Sequence, residues 1–229
     1  MKRSTPFFNR LAALGAFGAL AVLFSFTSVA RAGDLVVSVL DKEGKPVQDA
    51  VVVLVPSTHG TPKAPVPTQV TINQVKMRFS PAVSLVTVGG KGHFVNNDPW
   101  DHHVRASAAG ADQFNADVND GFELRLDGKV DGKAAKWADA TFDKSGAVLL
   151  GCHLHSSMRG HVYVSDSPWA AITNSDGAVL IEGVPEGSVQ VRVWQADQLV
   201  DIAPQKITLT AAPAETRFQL NVVPRRRRI

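Results

Sequence analysis

From residue 34 onward, apolar and polar positions alternate with a period of two, in short bursts broken by Gly, Pro, Asp and Asn. No long stretch repeats its apolar residues every three or four positions, so the chain reads as all-β. "DLVVSVL" and "AVVVLV" predict strands at 34–40 and 50–55, joined by the turn "DKEGKP" with Gly44 able to take positive φ. "PSTHGTPKAPVPTQ" has four prolines and no apolar run, and reads as a linker. From Val70 the segment "VTINQVKMRFSPAVSLVTVGGKGHFVNNDPWDHHVRAS" predicts three or four strands. Residues 106–140 are the least regular, and "KAAKWADA" within them has the composition of a short helix. "TFDKSGAVLLGCHLHSSMRGHVYV" then reads as strand, loop, strand. The remainder returns to hairpins, with turns at Asp176-Gly177 and Glu186-Gly187.

The N-terminus changes the picture of charge and compartment. Lys2, Arg3 and Arg10 precede the apolar run "LAALGAFGALAVLFSFTSVA", and "ARA" at 30–32 has the small-x-small form of a signal-peptidase site. Residues 1–32 are therefore expected to be a Sec-type signal peptide, which places the protein in the periplasm; an uncleaved anchor is the alternative that the cleavage site argues against. No later segment is apolar enough to span a membrane. The whole chain carries 24 Lys+Arg against 21 Asp+Glu, but removal of the leader leaves 20 against 21. Four of those cations are Arg225 to Arg228, so the body is acidic and the basic balance gives no argument for nucleic acid.

Cys152 is the one cysteine, so no internal disulfide forms. Exported proteins usually pair or avoid thiols, and a lone one calls for burial, pairing between chains, or a metal. Its neighbourhood, "GCHLHSSMRGHVYV", offers a thiolate, an imidazole and a thioether at Cys152, His155 and Met158. Two His and a Cys in a plane with a weak axial Met suit copper cycling between Cu(I) and Cu(II). Taken singly, each residue has a plain reading as core or loop; taken together at these spacings they read as a ligand set. Zinc fits less well, since Met is a poor zinc ligand. A second His must come from a neighbouring strand, and "FVNNDPWDHHVRA" supplies His102 and His103.

These two segments resemble the copper-binding regions of the cupredoxins, in particular the amicyanin- and plastocyanin-like blue copper proteins. The likeness covers roughly residues 70–164. It implies Cys152, His155 and Met158 as loop ligands and His102 as the upstream ligand, with His103 where many cupredoxins place an Asn that supports the cysteine sulfur. It also implies that the His155 edge passes the electron. The two ends of the chain resemble halves of a carboxypeptidase-regulatory or transthyretin-like sandwich. The whole layout is similar to exported proteins labelled methylamine-utilisation proteins, a label that carries no argument for methylamine oxidation.

The expected architecture is thus an all-β chain in which a cupredoxin Greek-key sandwich (61–165) is inserted into a transthyretin-like β-sandwich (33–60 and 166–223), followed by a basic tail (224–229). The expected function is that of a periplasmic type 1 copper protein, with one copper per chain, exchanging single electrons with transient protein redox partners. It is not expected to be an enzyme: the complete ligand set leaves no strong open position for substrate. Copper storage or delivery, and a binding module with structural copper, are the alternatives. His153 is expected to point away from the metal, and His161 to be an exposed strand residue. His59 and His93 are distant in sequence, which gives little ground for a secondary metal site among these histidines. Trp100 and Pro99 are read as rim or loop anchors.

Overall fold

The computed structural model describes residue 1 and residues 32–109 and 121–225, so nearly all of the expected signal peptide and most of the Arg tail lie outside the described residues. Within these bounds the chain forms strands without helix: β1 (Ala32–Leu40), β2 (Val51–Pro56), β3 (Gln69–Gln74), β4 (Phe79–Ser80), β5 (Val83–Thr87), β6 (Gly90–Asn96), β7 (His102–Ala108) and β8 (Glu123–Leu126). The second half of the order is β9 (Lys136–Phe142), β10 (Gly146–Cys152), β11 (Arg159–Ser165), β12 (Trp169–Ile172), β13 (Ala178–Pro185), β14 (Gly187–Trp194), β15 (Gln205–Leu209) and β16 (Ala214–Gln219).

The strands sort into four sheets, ordered β13-β1-β16, β12-β2-β14-β15, β5-β11-β10-β7-β8 and β4-β3-β6-β9. In these sheets β1 and β2 pair only with strands from β12 onward, while β3 to β11 pair only among themselves. The alternation seen in "DLVVSVL" follows from this placement. Leu35, Val37 and Val39 on β1 are fully buried against Val52, Leu54, Val191 and Phe218, while the intervening residues are only half-buried. A second core gathers Ile72, Phe94, Val104, Leu150, Met158 and Val162 between the other two sheets.

The unbroken apolar run of β2 has a different cause. Val52 and Leu54 point into the first core, but Val51 and Val53 are just as buried on the opposite face. There they meet Val83 and Leu85 of β5, Ala147 of β10 and Trp194 of β14 in a third apolar cluster. A strand covered on both faces needs no polar alternation. This cluster joins the sheet containing β2 to the sheet containing β10. The Pro-rich segment between β2 and β3 runs without strand structure, and Val66 within it is buried in the same cluster, its N–H donating to the Pro168 carbonyl at 3.3 Å.

Three expectations are corrected. "KAAKWADA" lies largely in β9, not in a helix: Ala138 and Ala140 pack on the second core while Trp137 and Asp139 face outward, and this period of two overrides the helix preference of alanine. The turns at Asp176-Gly177 and Glu186-Gly187 do not close hairpins. The strands flanking each belong to different sheets, so both are corners that carry the chain across a sandwich. The region from Val70 to Ser107 holds five strands, including the two-residue β4, where three or four were expected.

Candidate metal centre

The centre lies at one end of the sheet β5-β11-β10-β7-β8, where β7 begins and β10 ends. Along β7 the residues alternate inward and outward, so His102, Val104 and Ala106 are buried and His103 and Arg105 are not. Cys152, the last residue of β10, pairs with Val104 of β7, which brings it beside His102 across the sheet. The ladder extends one step further through the His153 N–H, which donates to the His103 carbonyl at 3.0 Å. The chain then folds back through a tight turn, closed by the Met158 N–H donating to the His155 carbonyl at 2.9 Å, and enters β11.

Three donor atoms converge there. His102 Nδ1 stands 3.8 Å from Cys152 Sγ, His155 Nδ1 stands 3.6 Å from the same sulfur, and the two nitrogens are 3.1 Å apart. The point in their plane equidistant from all three is about 2 Å from each, the length of a metal–imidazole bond and within a few tenths of a metal–thiolate bond. The donor set therefore fits a single transition-metal ion of the size of copper or zinc. His102 and Cys152 are buried, and His155 is half-buried at the edge. Met158 is 1% exposed and belongs to the same apolar cluster as Cys152. All four residues singled out from the sequence are thus on the same end of one sheet, and His102 rather than His103 faces inward.

The loop before β7 holds His102 in orientation. Asp98 Oδ2 accepts from His102 Nε2 at 3.0 Å, which leaves Nδ1 free to face the sulfur. The same carboxylate accepts the Met77 N–H at 2.8 Å and, through Oδ1, the Lys76 N–H at 2.5 Å. Lys76 and Met77 both adopt left-handed backbone, with φ of 53° and 54°, so Asp98 ties a strained turn to the ligand loop. Burial opposes ionisation of Asp98, but the hydrogen bonds from Met77, His102 and Lys76 outweigh it and hold the carboxyl below its ordinary range. Asn96 completes the frame: its side-chain amide donates to the carbonyls of Trp100, Leu126 and Asp127, and its Oδ1 accepts the Asp98 N–H at 3.0 Å.

Asp98 was not singled out from the sequence, where "FVNNDPWDHHVRA" was read only for its histidines and for Pro99 and Trp100. The available signal was a carboxylate four residues before a candidate ligand, the spacing at which a loop can return an acid to the far nitrogen of a ligand imidazole. The side chain of His103 takes no part in supporting the Cys152 sulfur. It faces away from the sulfur and pairs with Glu123 at 3.0 Å, because adjacent strand residues point to opposite faces. His153 also points away from the centre, as expected, and meets the other oxygen of Glu123 at 3.1 Å. The two imidazoles, His153 foremost, hold Glu123 below its ordinary carboxylate range. His93 pairs with Asp139, and His161 is half-buried, its ring 5.5 Å from that of Trp194. His59 lies exposed in the Pro-rich segment. Trp100 is 49% exposed and contributes its carbonyl to the Asn96 frame.

No family model and no curated protein matches the chain. Among solved structures it is similar to amicyanin variants. One is the reduced state of a variant, at 20% identity over 50% of this chain and 98% of the other, with a TM-score of 0.31. Another is a reduced Cu(I) form at pH 4, with the same identity, coverage and TM-score. A third is the Cu(I) form of a variant, at 22% identity over 51% and 99%, with a TM-score of 0.31. At this level of similarity the reading of the site rests on its own donor geometry.

Proposed function

We propose that this chain is an exported type 1 copper protein that carries single electrons between protein redox partners in the periplasm. The observation that carries the reading is the convergence of His102 Nδ1, Cys152 Sγ and His155 Nδ1 on one point, beside the buried thioether residue Met158. Bound by these four residues, copper would supply one-electron exchange between Cu(I) and Cu(II).

The protein's own residues account for the rest of the behaviour. Asp98 holds the Nε2 proton of His102 and so selects the tautomer with a free Nδ1. The burial of His102, Cys152 and Met158 keeps water from the donors. The tie from Asp98 to the turn at Lys76 and Met77 gives the ligand loop little freedom to rearrange between oxidation states. His155 sits at the half-buried edge, where a partner protein can approach it. A set of four protein donors leaves no strong position for a substrate, which argues for a carrier over an enzyme.

We read residues 33–60 and 166–223 as one transthyretin-like sandwich split around a cupredoxin-like unit at 61–165. The pairing of β1 and β2 with β12 to β16 supports this division. In that reading the split sandwich buttresses the copper-binding unit through the Val51–Val53 face of β2. The signal peptide and the periplasmic location rest on residues 1–32, nearly all outside the described residues.

Protein-film voltammetry of the copper-loaded mature chain, with a Cu(I) chelator present, tests the reading. A reversible one-electron wave with copper retained on reduction is the expected result. Loss of copper to the chelator on reduction would point instead to storage or delivery, and absence of a wave to structural copper.

A further inference from the structure

On the opposite face of the same sheet from the Cys152 centre, two imidazoles and a carboxylate come together. His103 on β7 and His153 just past β10 lie with ring centroids 4.7 Å apart, and each presents Nε2 to one oxygen of Glu123, the first residue of β8. The separations are 3.0 Å to Oε2 and 3.1 Å to Oε1, and the ligand atoms of all three residues lie within 4.8 Å of one another. Donors at adjacent positions around a metal, with bonds of about 2.1 Å, stand about 3 Å apart, so the nitrogen-to-oxygen separations already suit a shared ion. Three side chains from three different segments meet here, and the backbone bond from His153 to the His103 carbonyl fixes their relative height.

We propose that His103, Glu123 and His153 form a second metal site, for a borderline divalent ion such as Cu(II) or Zn(II). Imidazole and carboxylate suit both ions, and three protein donors leave coordination positions open to water or to a ligand from a partner. Exposure favours exchange: the Glu123 side chain is 59% and that of His153 40% exposed, against 14% for His103. His103 directly follows His102, and His153 directly follows Cys152, so the two donor sets are joined by single peptide links on two adjacent strands. Arg105 and Arg125, the cross-strand neighbours of Glu123 and His103, oppose a cation by their charge, and this makes the second site the weaker of the two.

The site is tested on the full mature chain by calorimetric titration with Zn(II) and with Cu(II), alongside histidine side-chain NMR during the Zn(II) titration. Two equivalents are expected to bind the wild type, the second shifting the ring resonances of His103 and His153. Glu123→Ala and His153→Ala are expected to lose the second equivalent and keep the first. Cys152→Ser is expected to keep the exposed site, so a failure of the thiolate centre is told apart from a failure of this one. Both substitutions at the exposed site lie on the surface, and circular dichroism confirms that each variant folds; Glu123→Gln, which keeps the size and removes the charge, serves as the second variant. Binding of one equivalent only, unaffected by the changes at Glu123 and His153, or a second equivalent that leaves both rings unshifted, would overturn the proposal.

Discussion

Asp98→Asn removes one acceptor and changes almost nothing else, so its cost can be worked from the hydrogen bonds around it. The carboxylate accepts from Lys76 N–H on one oxygen and from Met77 N–H and His102 Nε2 on the other, and its side chain is 5% exposed. An amide keeps one oxygen. If that oxygen serves Met77 and His102, the new NH2 group faces the Lys76 N–H, and a donor meets a donor. One charge-assisted bond is lost and one donor is left without a partner, together about 3 kcal/mol. Urea unfolding of the metal-free protein at neutral pH should show this as a lower midpoint with an unchanged slope. The effect should fade with acid. Because the folded chain holds the Asp98 carboxyl below its ordinary value, its stabilisation is fully present above the unfolded pKa and is lost as pH falls through the folded one. Asn does not titrate, so the gap between the two proteins should close at low pH. The His102 Nε2 bond that remains then goes to a neutral amide oxygen in place of a carboxylate, so the ring is held less firmly and copper binding should weaken by roughly 10-fold. A loss below about 0.5 kcal/mol with unchanged copper affinity would refute the role given to Asp98.

Val53→Ala should cost about 2 kcal/mol in thermal or urea unfolding, because Val53 is 1% exposed in the cluster between the sheets. Val55→Ala, two residues along the same face but 38% exposed, should cost less than about 0.5 kcal/mol, and equal costs would contradict the two-sided burial of β2. Gly177→Ala should destabilise more than Gly44→Ala. Both glycines have positive φ, 68° and 82°, worth about 1 kcal/mol each, but a Cβ at Gly177 would also come within 2.7 Å of the Val39 carbonyl oxygen, while that at Gly44 meets open space.

Much of this structure was legible from local pattern. The strands of "DLVVSVL" and "AVVVLV" came from apolar periodicity, and the turn at Gly44 from "DKEGKP", where Asp41 Oδ1 indeed accepts the Glu43 and Lys45 N–H groups. Donor chemistry pointed to Cys152, His155 and one histidine of the His102-His103 pair, and the resemblance pointed to His102; strand alternation explains why His102 and not His103 faces the sulfur. What stayed hidden depended on partners far along the chain. Alanine-rich "KAAKWADA" looks helical until the second core claims every other residue of β9. The corners at Gly177 and Gly187 look like hairpin turns because sequence does not reveal which sheet the next strand joins. Asp98 and Glu123 were missed for the same reason: a carboxylate announces its role only when the imidazole it orients is seen beside it.

The most direct test of the central claim is the visible spectrum of the mature protein titrated with Cu(II), beside Cys152→Ser. The account predicts an intense thiolate-to-copper band that saturates at one equivalent, bleaches reversibly with reductant and is absent from the variant. A chain that binds copper without that band, or a band that survives the loss of Cys152, would contradict it.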